Sequence, residues 1–162
     1  MNTPLRAVLF ANALLALAHP AGAEPPVPPP STATAAEDAK GAPALAIRTD
    51  DAGLQWGPCP AFLPPGCRIA VLHGDPAQQN ADVFFQVPGG AAIASHRHTS
   101  PERMVLVEGR LRVQYRGQPA VTLQPGQYAY GPAGRSHEAT CESTGPCTLF
   151  IAFEGPVDAI PD

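Results

Sequence analysis

The sequence has few charged residues, and they form no basic cluster. Only 15% of the 162 residues are Asp, Glu, Lys or Arg, against about 25% in an average globular chain. The ten basic residues are outnumbered by fourteen acidic ones. Because phosphate contacts need a concentrated basic patch, the composition argues against a nucleic-acid partner.

Long apolar runs and uninterrupted helical stretches are scarce as well. The 21 prolines are spread over the whole chain, which excludes a coiled coil because proline breaks a helix. The longest apolar run lies near the N-terminus and is shorter than the about 20 residues that a membrane-spanning helix needs. We therefore expect neither a polytopic membrane protein nor a stable membrane anchor.

The N-terminal apolar run has the layout of a secretory signal peptide. Arg6 precedes the mainly apolar stretch 7–18, and Ala21 and Ala23 place small residues at the positions that signal peptidase reads. No cysteine follows this site and only one arginine precedes it, which argues against a lipoprotein anchor and a twin-arginine signal. We predict a Sec-type signal peptide over 1–23 and a periplasmic or secreted protein.

A segment rich in proline and alanine follows the predicted signal peptide. Five prolines between positions 25 and 30 favour a stiff polyproline-II stretch. Residues 31–44 contain no large apolar side chain and cannot bury enough surface to offset the entropy of ordering. We predict a disordered linker over 24–44, followed by a single domain over 45–162.

From Leu45 onward, short strand-like runs alternate with turns. Gly and Pro punctuate the runs about every 8–12 residues, and no helical period is present. This pattern predicts an all-β barrel or sandwich large enough for a hydrophobic core. The predicted strands cover 68–72, 81–87, 103–107, 110–115, 120–123, 127–130, 137–141 and 147–153.

Three histidines and a glutamate form a pattern that suits metal binding. His96 and His98 are separated by one residue, so on a strand both side chains project from the same face. Glu102 follows a turn-like Ser-Pro pair, and His137 comes from a distant strand. Such a set can bind a borderline transition metal and leave positions open for water or substrate. The His-x-His pair alone is a weak signal, because two polar residues on a solvated face give the same spacing.

Glycines and a proline around these residues complete two motifs, which resemble those of the cupin superfamily, G-x5-H-x-H-x3,4-E-x6-G and G-x5-P-x-G-x2-H-x3-N. All nine positions match in identity and spacing, and the resemblance covers about residues 86–153. One departure is Cys141, which replaces the final Asn, a residue that is not a metal ligand in the family pattern. The matching positions are Gly90, His96, His98, Glu102, Gly109, Gly126, Pro132, Gly134 and His137.

The resemblance implies a small jelly-roll-like β-barrel that holds one divalent transition metal through His96, His98, Glu102 and His137. Such a ligand set accepts Fe, Mn, Ni, Co, Cu or Zn. A chain that crosses a membrane unfolded meets its metal outside the cytosol, where the intrinsic affinity order favours Zn or Cu. We expect Zn or Cu in the isolated protein, with Fe, Mn or Ni as alternatives for activity.

The other side chains of these strands have simpler structural interpretations. Arg97 and Arg103 alternate with the predicted ligands and are expected to face the other side of the sheet. Several side chains are candidates for lining the cavity, although core packing is the simpler role for each of them: Phe84, Gln86, Met104, Leu106, Tyr128, Tyr130, Phe150 and Phe153.

The four cysteines of an exported protein are expected to form two disulfides. Three connectivities are open, and the local pairs Cys59–Cys67 and Cys141–Cys147 are favoured. The second pair flanks a hairpin loop, and directly opposed residues of a hairpin lie within the Cα range of a disulfide. An alternative interpretation makes Cys141 a thiolate ligand or a redox centre.

Two classes of function stay open. Cupins with this ligand set include dioxygenases, isomerases, decarboxylases, lyases and hydrolytic enzymes. The interpretation we rank first is O2-dependent oxidation of a small organic acid or phenolic substrate, with Glu102 as a ligand or as the general base. The alternative is a non-catalytic extracytoplasmic sensor or binding module, because a fold does not determine function. The resemblance is also compatible with a homodimer that forms by sheet-on-sheet contact.

Overall fold

The structure is a computed structural model that describes residues 44–162, in which every regular element is a β-strand. The predicted signal peptide, 1–23, and almost all of the predicted linker, 24–44, lie outside the described residues. Within the described range, no helix combines the length and the apolar character that are needed to cross a membrane.

Two antiparallel sheets make up the described chain. Their strand orders are β1-β2-β3-β10-β5-β8 and β11-β4-β9-β6-β7. From β3 onward the chain changes sheet at almost every connection, which is the arrangement of a jelly roll and confirms the predicted fold class. The strands are β1 (Trp56–Pro58), β2 (Arg68–His73), β3 (Asp82–Val87), β4 (Ala92–Arg97), β5 (Glu102–Glu108), β6 (Leu111–Tyr115), β7 (Val121–Leu123), β8 (Tyr128–Gly131), β9 (His137–Cys141), β10 (Cys147–Phe153) and β11 (Ile160–Pro161).

The core lies between the two sheets and follows the alternation of the strands. Strand β6 is an example, because it buries Leu111, Val113 and Tyr115 and leaves the two residues between them less buried. All eight strands predicted from the sequence are present, with ends that differ by about one residue. Three strands were not among those predicted: the short edge strands β1 and β11, and β4, which was considered only as a strand that would place His96 and His98 on one face.

A β-bulge in β4 sets the direction of the histidines. Ile93 pairs with Ala139 and His96 pairs with His137, so three steps along β4 oppose two steps along β9. Residues three apart on a regular strand face opposite sides of the sheet. The extra residue of the bulge therefore allows both Ile93 and His96 to face the space between the sheets.

Both local cysteine pairs form disulfides. The Cα–Cα distances are 5.6 Å for Cys59–Cys67 and 5.7 Å for Cys141–Cys147, within the normal range. Since all four cysteines are paired, Cys141 offers no thiolate to a metal, and the prediction of a thiolate ligand is wrong. Two disulfides are typical of a protein that matures in an oxidising, extracytoplasmic environment.

Removal of each disulfide should lower the stability by a different amount. Each closes a short loop, for which the chain-entropy estimate is about 2 kcal/mol. The double variant Cys141→Ala/Cys147→Ala also removes packing at two fully buried positions. It should therefore lower the free energy of unfolding, measured with urea, by more than Cys59→Ala/Cys67→Ala, whose Cys59 is only half-buried. An equal or larger loss for the second variant would contradict this ranking.

Candidate metal centre

Strands of both sheets deliver the four predicted site residues to one place. His96 lies near the end of β4, His98 directly follows that strand, and His137 is the first residue of β9. Glu102 begins β5 in the opposite sheet. The pairing of His96 with His137 across β4 and β9 places two imidazoles side by side.

The four side chains are close together and buried. Candidate ligand atoms of the three histidines all lie within 4.8 Å of one another. Glu102 Oε1 lies 3.3 Å from His98 Nε2, and Glu102 Oε2 lies 3.9 Å from His137 Nε2. Each of the four residues has less than a tenth of its surface exposed. The structure thus brings together the four residues that the sequence predicted as metal ligands.

Backbone carbonyls orient all three imidazole rings. The Nδ1 atom of each ring lies against a carbonyl oxygen of the main chain. Because a carbonyl only accepts hydrogen bonds, we infer that Nδ1 carries the ring proton and that the Nε2 lone pair is free. The accepting residues are Ala94 for His96 at 2.8 Å, Asp158 for His98, and Arg135 for His137 at 3.4 Å.

Burial keeps the imidazoles neutral. It lowers the pKa of His98 to about 4 and the pKa of His137 to about 3, and the neighbouring imidazoles add to both effects. Burial also lowers the pKa of His96. At neutral pH the three rings are therefore in the form that donates a lone pair to a metal.

Burial has the opposite effect on the carboxyl group. It raises the pKa of Glu102 to about 8, and the nearby Asp158 carboxylate contributes to the increase. In the metal-free protein Glu102 is therefore mostly protonated at pH 7. The metal-free centre, with neutral imidazoles and a neutral Glu102, carries almost no net charge at that pH.

This donor set fits a divalent transition metal. Three neutral imidazole nitrogens, with a carboxyl group beside them, form the kind of set that Zn²⁺ and its neighbours in the first transition row accept. The rigid strands and the carbonyl contacts hold the donors in place before a metal arrives. Imidazole and carboxylate ligands do not distinguish Zn from Cu, Fe, Mn or Ni.

A cavity of about 270 Å³ adjoins the histidines. Its polar lining consists of the four site residues, Tyr115 and Asp158, and no Lys or Arg is among the lining residues of the described chain. The cavity is therefore apolar apart from the region of the histidines. Aliphatic and aromatic residues that line it include Ile69, Val83, Phe85, Ile93, Val113, Leu149, Ile151 and Phe153.

Two segments outside the main strands complete the cavity wall. Cys59, Pro60 and Leu63 come from the loop that the Cys59–Cys67 disulfide closes. In the same loop, the ring of Phe62 lies 6.0 Å from that of His96. This loop covers one side of the site.

The segment 157–162 forms a second wall and ties the ligand-bearing strands together. The Asp158 carboxylate accepts hydrogen bonds from Thr99 N at 2.9 Å and Thr99 Oγ1 at 2.6 Å. Strand β11 pairs with β4 opposite His96. The Asp162 carboxylate accepts hydrogen bonds from Ser95, Arg97, Arg116 and Ser136.

Sequence reasoning missed some lining residues and misplaced others. It did not single out Tyr115 or Asp158. For Tyr115 the available signal was its position in a predicted strand, where its side chain could face the interior. Tyr128 and Tyr130 are 61% and 51% exposed and do not line the cavity, so that candidacy was wrong. Arg97 and Arg103 are partly exposed, at 40% and 46% of the side chain, and neither lines the cavity, as expected.

Comparison with known proteins agrees with this architecture. The acetylacetone-cleaving enzyme of Acinetobacter johnsonii is 28% identical over 106 residues, which are 63% of this chain and 67% of that enzyme. The DMSP lyase DddQ of Ruegeria pomeroyi has a similar structure, with a TM-score of 0.57 and 20% identity. The alignment covers 67% of this chain and spans 60% of the lyase. A Klebsiella pneumoniae protein with a double-stranded β-helix domain superposes with a TM-score of 0.50 and 17% identity over 62% of this chain and 91% of that protein.

A family model described as the ChrR cupin-like domain matches residues 45–158. This match spans nearly all of the described barrel and contains all four residues of the candidate centre. The chain therefore belongs to the cupin superfamily, in the ChrR cupin-like family.

Proposed function

We propose that this protein is an exported, metal-dependent oxygenase that acts on a small and largely apolar substrate containing oxygen. The observation that carries the proposal is the convergence of three imidazole rings at one end of an apolar cavity. An internal cavity beside a set of metal donors is the arrangement expected of a small-molecule enzyme.

The metal would be held by His96, His98, His137 and Glu102. Once bound, a divalent metal supplies Lewis acidity and a place for an oxygen atom of the substrate. We propose Zn or Cu in the isolated protein and keep Fe, Mn or Ni as alternatives for activity. Elemental analysis of protein purified from its native compartment identifies the metal.

The chain's own residues would select the substrate. Among the described residues no Lys or Arg lines the cavity. A second carboxylate on the substrate, beyond the group bound to the metal, would therefore find no cationic partner and would be repelled by Asp158. Of the predicted substrates, the lining therefore favours phenolic compounds over organic acids with two carboxylates. A β-dicarbonyl compound fits equally well, and the relative named for cleaving acetylacetone supports that choice.

Glu102 is the residue most suited to move a proton. Its Oε1 atom lies 3.3 Å from His98 Nε2 and borders the cavity. A carboxyl group beside a metal-bound substrate can accept or donate a proton. We propose Glu102 as a ligand in the resting protein and, as the alternative, as the general base.

We propose export on the basis of one feature of the sequence and one feature of the structure. The N-terminal 23 residues have the layout of a signal peptide, and both disulfides need an oxidising compartment to form and persist. The two features together support a periplasmic or secreted location.

Oxygen uptake tests the proposed activity. Fe-, Cu- and Zn-loaded protein is mixed with acetylacetone, catechol or oxalate, and His96→Ala serves as the control without an intact donor set. We expect uptake with acetylacetone or catechol for at least one metal and none with oxalate. Protein that binds metal tightly but shows no uptake and no azide binding by spectroscopy would contradict the enzyme proposal and favour the sensor alternative.

Metal binding should release a proton from Glu102. At pH 6 the carboxyl group is protonated in the metal-free protein, so its ligation by Zn²⁺ should release about one proton. Release should decline as the pH rises above 8, because the carboxyl group is then already ionised. The apparent affinity should fall about tenfold for each unit of pH below 8. Calorimetry in buffers with different ionisation enthalpies measures the released protons.

Glu102→Gln is the matched control for this titration. It keeps the size of the side chain but has no carboxyl proton to release, so release at pH 6 should be close to zero. Equal proton release in this variant and the wild type would show that Glu102 is not a ligand.

A further inference from the structure

The hydroxyl group of Tyr115 is a buried polar atom without a hydrogen-bond partner among the described residues. Tyr115 is only 8% exposed and lines the cavity. Leaving a buried hydroxyl unpaired is costly, and each such group in a native protein calls for an explanation. One explanation is a hydrogen-bond partner that becomes available only in the metal-loaded protein.

The position of Tyr115 is tied to the candidate centre. It pairs with His137 across β6 and β9, and the two ring centroids are 4.8 Å apart. Because the tyrosine lies on a central strand of its sheet, its ring direction is set by the same register that places the histidine.

The hydroxyl and the Glu102 carboxyl group border the same small space beside Gly131. A Cβ atom built on Gly131 would lie 2.6 Å from the Tyr115 hydroxyl oxygen and 3.0 Å from Glu102 Oε2. Any larger residue at position 131 would enter this space. The glycine therefore leaves room for two oxygen atoms to lie close together at the centre.

We propose that Tyr115 is a positioning residue, whose hydroxyl donates a hydrogen bond to the Glu102 carboxylate when that carboxylate binds the metal. This inference rests on the proposed function, because it takes Glu102 as a ligand. An ionised carboxylate only accepts hydrogen bonds and needs a donor on the oxygen that does not bind the metal. Oε2 borders the same space beside Gly131 as the Tyr115 hydroxyl and lies 3.9 Å from His137 Nε2, whereas Oε1 lies 3.3 Å from His98 Nε2.

The variant Tyr115→Phe tests the proposal in the full-length protein. Its affinity for Co²⁺, measured by competition with a chelator, should fall about 10- to 100-fold, the range for removal of such an outer partner. Its thermal unfolding temperature without metal should stay equal or rise, because the variant deletes a hydroxyl that has no partner in that state. The matched control is Tyr130→Phe, which removes a half-exposed hydroxyl one residue from Gly131 and should change neither value.

Testing Tyr115→Phe in a Glu102→Ala variant distinguishes a positioning role of the hydroxyl from a general structural role. In Glu102→Ala the proposed acceptor is absent, so adding Tyr115→Phe should weaken Co²⁺ binding no further. If Tyr115→Phe weakens binding equally in both backgrounds, or lowers the unfolding temperature without metal, the hydroxyl is structural and the inference is overturned.

The outcomes also distinguish the inference from the function on which it rests. Unchanged Co²⁺ affinity in Tyr115→Phe, with a normal wild-type affinity, would overturn the role of Tyr115 and leave the proposed function intact. A wild-type protein that binds no Co²⁺ would overturn both.

Discussion

The candidate centre depends on three hydrogen bonds from imidazole Nδ1 atoms to backbone carbonyls. They leave the Nε2 lone pairs free for one shared ion. Two of the carbonyls belong to residues just before the histidine that they orient, and the third belongs to Asp158, far along the chain. The bulge in β4, the pairing of β4 with β9, and the segment that carries Asp158 all contribute to this one arrangement.

Burial links the chemistry of the centre to the selection of its substrate. The same removal of water that lowers the histidine pKa values and raises that of Glu102 leaves a cavity with mostly aliphatic walls. A metal ion in this setting would be the main positive charge available to a ligand, because no lysine or arginine within residues 44–162 lines the cavity. Strong polarisation at one end and apolar contacts elsewhere favour small molecules with one metal-binding group.

The four site residues could be predicted from the sequence because the cupin motifs specify both their identity and their spacing. Eight of the eleven strands and both disulfides were also predictable, since they follow from local patterns. Tyr115 and Asp158 were not predicted, because their roles depend on the register between β6 and β9 and on the path of the last residues of the chain. Tyr130 faces outward because side chains alternate along β8 and its neighbour Gly131 faces the centre.

X-ray absorption spectroscopy of the Zn²⁺-loaded protein tests the central claim most directly. The account predicts three imidazole nitrogens at about 2.0–2.1 Å and at least one oxygen ligand, with no sulfur. His98→Ala should show one imidazole fewer. A spectrum with fewer than three imidazoles in the wild-type protein, or with sulfur bound to zinc, would contradict the account.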